Sequence, residues 1–252
     1  MASVLEHIVG KTRMELDVRK QRIPADIFNL EGETRSLKKA LTSAKGNAVI
    51  TEIKPASPSQ GNLRELDAAK VAREMEAGGA AAISVLTEPF YFQGSLENLR
   101  RSKEATRIPL IRKDFIIDGY QLLEARHYGA DAVLLMVAVL GQETKAFYEK
   151  ARKLGMEAIV EIHGPEELDI AISSGAEMIG INNRNLGDLS VDLNTTKELS
   201  SKIPKGRVIV SESGVKSRED LDFVLRYANA ALVGTSLMRA DDIQRAVRGL
   251  VG

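Results

Sequence analysis

The chain has 252 residues, enough for one barrel-sized domain or two small ones. Hydrophobic residues make up 44% and charged residues 28%, a globular balance, and 35 Lys and Arg meet 35 Asp and Glu, so the basic excess of a nucleic-acid binder is missing. There is no cysteine, which removes disulfides, thiolate metal sites and cysteine nucleophiles and fits a cytoplasmic setting, and three histidines argue against a His-rich metal centre or a Ser-His-Asp triad.

Met1 to His7 lacks an apolar run behind basic residues, so no signal peptide is expected. No stretch approaches the roughly 18 apolar residues of a membrane helix, so no membrane partner is expected either. Residues 1–46 read as an N-terminal helical extension packed on the main domain. Ile8 to Lys20 is a helix, Ile23-Pro24 breaks it, and Thr34 is placed to cap a second helix through Lys39 to Leu41.

From residue 47 to 252 short apolar runs alternate with longer amphipathic ones. The runs are Ala48–Ile53, Ala81–Leu86, Pro109–Arg112, Ala132–Val137, Ala158–Ile162, Met178–Ile181, Val208–Val210 and Ala230–Val233. Near-continuous Val, Ile, Leu, Met and Ala suits parallel strands covered on both faces. Helical patterns at Asp67–Ala77, Gln121–Tyr128, Thr144–Leu154, Glu166–Ser173 and Ser217–Arg226 supply the crossovers. A faint repeat supports the count. Gly79-Ala80-Ala81, Gly129-Ala130-Asp131, Gly175-Ala176-Glu177 and Asn229-Ala230-Ala231 each stand where a helix ends and a strand begins, with Gly or Asn suited to a left-handed residue. The pattern predicts an α/β fold, a (β/α)8 TIM barrel with an N-terminal helical extension, in one structural domain. The alternative, an open doubly wound sheet, lacks its Gly-rich turn after strand 1.

Charges fall at the ends of these strands: Glu52-Ile53-Lys54 on strand 1, Arg112-Lys113-Asp114 on strand 3, Glu161 on strand 5, Asn182-Asn183-Arg184 on strand 6 and Ser211-Glu212-Ser213-Gly214 on strand 7. In a barrel that is the catalytic face. Strand alternation puts Ile50 with Glu52 and Lys54, Ile111 with Lys113, and Ile159 with Glu161. If the apolar members point into the barrel, the charged ones crowd its mouth, where proton donors and acceptors with shifted pKa values are expected. Taken singly, Glu52–Lys54 and Lys113–Asp114 read equally as structural ion pairs; five strand ends together favour a site. His163 reads as a loop residue rather than a catalyst.

Ser213-Gly214-Val215 after strand 7 and Gly234-Thr235-Ser236 after strand 8 look like anion cradles, because small residues let backbone N–H groups approach a phosphate. Ser57-Pro58-Ser59-Gln60-Gly61 after strand 1 reads as a mobile lid or an ordinary turn-rich loop.

The segments Glu52-Ile-Lys-Pro-Ala-Ser-Pro-Ser-Gln-Gly61, Leu110-Ile-Arg-Lys-Asp-Phe-Ile-Ile-Asp118, Glu161-Ile-His163, Gly180-Ile-Asn-Asn-Arg-Asn-Leu186, Ser211-Glu-Ser-Gly214 and Leu232-Val-Gly-Thr-Ser236 resemble the indole-3-glycerol-phosphate synthase family, from about Asn47 to the C-terminus. The resemblance implies ring closure, decarboxylation and dehydration of 1-(2-carboxyphenylamino)-1-deoxyribulose 5-phosphate to indole-3-glycerol phosphate, a step of tryptophan biosynthesis, with no metal or organic cofactor. It implies Lys113 as general acid and Glu161 as main base, with Glu52 and Lys54 assisting. Asn182 and Glu212 would orient the substrate, Ser213, Gly214, Gly234 and Thr235 would hold its phosphate, and Ser57 would contact it. Phe92, Phe115 and Leu232 would line the slot for the anthranilate ring, and Arg184 would support the charges. Pro55, Ala56 and Gln60 depart from the family's more basic loop, which weakens the charge that loop offers a phosphate.

A Schiff-base aldolase with Lys113 as nucleophile is the competing enzyme; it needs a depressed lysine pKa. The neighbouring isomerase of the pathway relies on a cysteine that this chain lacks. A phosphate-ligand binding protein is the non-enzyme alternative. The expected partner is a small phosphorylated molecule; the sequence does not set the oligomeric state, with which a monomer is compatible.

Overall fold

The computed structural model describes residues 4–57, 61–63 and 67–252. Eight parallel strands close into a barrel: β1 (Val49–Ile53), β2 (Ala82–Leu86), β3 (Leu110–Lys113), β4 (Ala132–Met136), β5 (Glu157–Ile162), β6 (Met178–Asn182), β7 (Val208–Glu212) and β8 (Ala230–Val233). β8 returns to β1, pairing Ile50 with Leu232. All eight predicted runs are strands, within a residue or two at each end.

Helices α1 (Val4–Arg22), α2 (Leu37–Thr42), α3 (Ala68–Ala77), α4 (Leu96–Ala105), α5 (Gly119–His127), α6 (Val137–Leu140), α7 (Thr144–Lys153), α8 (Leu168–Ser173), α9 (Asn194–Ser200), α10 (Arg218–Val224), α11 (Thr235–Met238) and α12 (Ile243–Val251) complete the alternation. Side-chain caps explain several starts: Asp67 on α3, Ser95 on α4, and capping boxes at Asp118–Gln121 and Ser217–Asp220 on α5 and α10.

Strand alternation sorts the apolar residues into two cores. Val49, Ile53, Ile83, Val85, Leu135, Val160, Ile179 and Val233 face outward to the helices. Ile50, Ile111, Ile159 and Val210 fill the barrel interior with Ala82, Leu134, Met178 and Leu232. The interior is therefore a packed plug rather than a pore.

The extension reaches both ends of the barrel. At the N-terminal end of the strands, Leu37 and Leu41 of α2 are buried in the interior core. The carboxylate of Glu157, the first residue of β5, accepts from Ser36 Oγ and Lys38 N, both at 2.8 Å, and Asp131 Oδ1 accepts from Arg35 N at 2.8 Å. The cap of α2 is Ser36, whose Oγ accepts from Lys39 N at 3.1 Å. Thr34, the expected cap, instead donates to Gly155 O at 2.6 Å and ties the extension to the loop before β5. At the opposite end Val4, Leu5 and Ile8 of α1 overhang the barrel mouth. Between the two ends, Leu16 and Phe28 pack on Tyr120 of α5.

The repeat before the even strands holds in three of four copies: Gly79, Gly129 and Gly175 have φ of +98°, +90° and +82°. Asn229 is not left-handed. Its side chain accepts from Ile209 N at 2.8 Å and its own N–H donates to Ile209 O at 2.8 Å, so it was selected for cross-strand pairing rather than for backbone freedom.

Candidate active site

Two residues beyond the aliphatic layer Ile50, Ile111, Ile159 and Val210, the odd strands carry Glu52, Lys113, Glu161 and Glu212. The period of two aims all four into the mouth. Each carboxylate is at most 2% exposed. Lys113 Nζ lies 2.6 Å from Glu212 Oε2 and 3.3 Å from Glu161 Oε2. The Lys54 ammonium is paired with Glu52 Oε2. Lys113 does not pair with Asp114. Alternation turns Arg112 and Asp114 outward, where Arg112, fully buried, binds Asp114 Oδ2 at 2.8 Å, Gln121 O at 2.7 Å and Glu124 Oε2 at 3.2 Å. That satisfied guanidinium anchors the strand from behind.

The electrostatics follow from this crowding. Burial disfavours the Lys113 charge, but Glu212, Glu161 and Glu52 outweigh it and hold the pKa well above the usual lysine value. Burial would raise Glu161, but Lys113 and His163 hold it below the ordinary carboxylate range. Burial, with Glu161 nearby, raises Glu212 against the pull of Lys113. Two carboxyls sharing one ammonium do not ionise equally.

The mouth is a cavity of about 660 Å³. All the residues expected at the site line it: Glu52, Lys54, Ser57, Phe92, Lys113, Phe115, Glu161, Asn182, Arg184, Ser213, Gly214, Leu232, Gly234 and Thr235, with the one exception of Glu212, which lies beneath the lining in contact with Lys113. Phe92 and Phe115 face each other across 6.2 Å, with Leu232, Leu86, Leu134 and Met136 below, an apolar slot beside the charged layer. Asn182 Oδ1 accepts from Arg184 N at 3.0 Å, and Arg184 donates to Leu189 O at 2.8 Å, which folds the loop after β6 over the rim. Ser57 pairs with Gly61 in a short antiparallel ladder; Pro58, Ser59 and Gln60 lie outside the described residues.

Two small-residue loops also line the cavity. Ser213 and Gly214 are both left-handed, at φ +65° and +97°. A Cβ on Gly214 would come within 2.6 Å of Val191 Cγ1, so glycine is required there twice over. Gly234 lies against Glu52, since a Cβ there would fall 2.2 Å from Glu52 Oε2. The loop after β8 therefore packs directly against the buried charged layer.

Several residues at the site were given no role by the sequence. Lys216 and Arg239 line the cavity just beyond the two small-residue motifs. Glu88 is fully buried and its carboxylate accepts from the backbone N–H of Phe90, Tyr91 and Phe92 at 2.7–3.0 Å, shaping the loop that presents Phe92. Asn183 ties the loops after β6 and β7 together: Nδ2 donates to Ser211 Oγ and Ser213 O, and Oδ1 accepts from Thr196. Asn182 and Asn183 stand side by side in the polar run at the end of β6, and only the pleat separates the one facing the mouth from the one facing the frame. His163 lies in the loop after β5, as expected, but folds back onto Glu161.

An eight-stranded parallel barrel with a buried Lys–Glu layer, an apolar slot and two small-residue loops at the C-terminal ends of its strands defines an acid–base enzyme of the (β/α)8 class. The family model described as "Indole-3-glycerol phosphate synthase" matches residues 5–250. Proteins of that name from Methanocaldococcus jannaschii, Methanopyrus kandleri and Koribacter versatilis are 43%, 46% and 42% identical, each aligned over at least 97% of both chains. The chain belongs to the indole-3-glycerol phosphate synthase family, carboxy-lyases of tryptophan biosynthesis. A solved structure, thiamine phosphate pyrophosphorylase from Pyrococcus furiosus, superposes with a TM-score of 0.63 over 85% of this chain and 96% of the other; at 18% identity it shares the fold alone. Among the described residues no helix is long and apolar enough to cross a membrane.

Proposed function

We propose that the buried layer divides the family reaction as follows. The carboxyphenylamino ring lies in the slot of Phe92, Phe115 and Leu232, and the phosphate on the loops of Ser213-Gly214 and Gly234-Thr235, with Lys216 and Arg239 supplying charge that the loop after β1 does not. Ser57 closes on the substrate from that loop. Lys113 protonates the carbonyl oxygen as the ring carbon attacks it. Carbon dioxide then leaves and the ring regains aromaticity. In the dehydration Glu161 takes the carbon-bound proton, with Glu52 and Lys54 assisting, while Asn182 and Glu212 hold the hydroxyls and Arg184 supports the charges.

The observation that carries this reading is Lys113 between Glu212 at 2.6 Å and Glu161 at 3.3 Å. The carboxylates keep the amine charged, which loads it as an acid. The same contact gives the order of events. While Lys113 is charged, Glu161 is a weak base; once Lys113 gives up its proton, Glu161 loses its main cationic partner and its proton affinity rises. A Schiff-base aldolase needs the opposite, a neutral lysine, and three surrounding carboxylates disfavour it.

The test is indole fluorescence from the carboxyphenylamino-deoxyribulose phosphate. Wild type should turn over, and Lys113→Ala should lose at least about a hundredfold in kcat, on the scale of general acid catalysis, with KM little changed. Surviving turnover with collapsed affinity would mean that Lys113 binds rather than donates.

A further inference from the structure

His163 is a half-exposed position by its place in the chain but not by its surroundings: its side chain is 9% exposed and lies between two carboxylates. Nε2 is 3.2 Å from Glu161 Oε1 on the barrel side, and Nδ1 is 3.4 Å from Glu167 Oε2 on the other. Glu167 is held in place because its Oε2 also accepts from His163 N at 2.7 Å. Beyond Glu167 is a second cavity of about 340 Å³, lined by His163, Glu166, Glu167, Asn182 and Asp192, with exposed Asn185 and Gly187 at its edge. Asn182 and Leu186 belong to the walls of both cavities, so the second one lies directly behind the active site.

The reaction proposed above gives this arrangement a task. Carbonyl oxygen protonation consumes one proton, departure of the hydroxyl as water consumes a second, and loss of the carbon-bound proton returns one. Carbon dioxide leaves the carboxylate without taking a proton. Each turnover therefore takes up one net proton, at a layer whose carboxylates are at most 2% exposed and whose mouth the substrate covers.

We propose that His163 is the positioning and proton-supply residue of Glu161, passing protons from the second cavity into the buried acid–base layer. After Lys113 has given up its proton, the imidazolium breaks its Nε2–H bond as Glu161 Oε1–H forms, and Glu161 returns a proton to the neutral Lys113 amine 3.3 Å away, so that it is again a carboxylate able to take the carbon-bound proton; the neutral ring is then recharged from solvent on the Glu167 side. Between proton transfers its charge fixes Glu161 in place. The inference rests on the family reaction as divided above. The charged groups facing His163 are Glu161 near the end of the preceding strand, Glu167 and Glu166 from the following turn, Asp192 across the cavity, and Lys113 and Glu212 beyond Glu161. Burial works against the charged ring, but the Glu161 and Glu167 carboxylates on either side outweigh it and push the pKa up to about 10, so the relay is loaded at neutral pH.

The experiment compares single-turnover rates of wild type, His163→Gln, His163→Ala and Glu167→Gln across pH 6–10, with urea midpoints for each. Gln at 163 keeps an N–H toward Glu161 without a titrating proton, and Gln at 167 keeps an acceptor for His163 N. The expected result is a rate lowered on the order of tenfold in all three, KM within twofold, a flattened pH profile, and partial recovery of His163→Ala with added imidazole, which the second cavity can admit. Unchanged rates in folded His163→Gln would overturn the proposal. So would a loss that follows the urea midpoint and ignores imidazole, because that is the mark of packing alone. An inactive wild type would sink the reaction and the relay together, whereas an active wild type with an indifferent His163→Gln sinks the relay only.

Discussion

At the scale of single residues, the site works because its charges are partnered before substrate arrives. Arg112 shows the pattern: a fully buried guanidinium, tied to Asp114, Glu124 and Gln121, costs little only because its bonds are made. Glu88 is its counterpart in the loop after β2. Three backbone N–H groups converge on its carboxylate, and a Gln in its place would turn an amide NH₂ toward donors. Glu88→Gln should therefore raise KM severalfold, because Phe92 loses its perch, and cost about 1–3 kcal/mol in urea unfolding. A normal KM with only the stability loss would detach this loop from the substrate. Gly234 carries a related lesson. Substitution there strikes Glu52 as well as the loop proposed to hold the phosphate, so a rise in KM alone is not expected from it.

At the scale of elements, the barrel was readable because its signals are local and repeated. Eight apolar runs, helices between them and a Gly-Ala motif before even strands need no long-range information. Lys113 and Glu161 were readable for the same reason: each stands two residues beyond an inward aliphatic. Glu88, Asn183 and His163 were not: Glu88 and His163 are defined by contacts within their own turns and Asn183 by partners on β7 and α9, and a loop has no period from which to read direction. The cap of α2 shows the limit at close range. Thr34 and Ser36 are both capping residues, and tertiary contacts with Gly155 and Glu157 decided between them. That helix is worth testing, because it closes the barrel opposite the site. Leu37 is fully buried at the end of the interior core, so Leu37→Ala should destabilise the protein by about 2–5 kcal/mol. The denaturation midpoint should fall while KM holds, since the cavity it leaves is at the N-terminal end of the strands. A changed KM at an unchanged midpoint would contradict the division between a stabilising end and a reactive end.

At the scale of the whole molecule, that division implies a particular dependence of stability on pH. Three carboxylates and a lysine replace what would otherwise be another aliphatic layer, so the C-terminal end of the barrel contributes through ion pairing rather than through apolar burial. The sign follows from each group in turn. The imidazole of His163 binds its proton more tightly folded, near pH 10, than unfolded, near pH 6.5, so its contribution is complete below pH 6.5 and is lost as pH rises toward 10. Glu212 is raised as well, mainly by burial and by Glu161, and so also loses stability with rising pH, beginning above the ordinary carboxylate value of 4.5. Glu161 is lowered, so its contribution is present above 4.5 and lost in acid. Together they place the site's best stability in mildly acidic solution and its steepest loss between pH 6.5 and 10. Urea unfolding of wild type at pH 6 and pH 9.5 should show that loss, and His163→Gln should shrink the difference between the two. If the variant kept the full difference, the titrating group would lie elsewhere, and the imidazole would have no differential hold on its proton with which to feed Glu161.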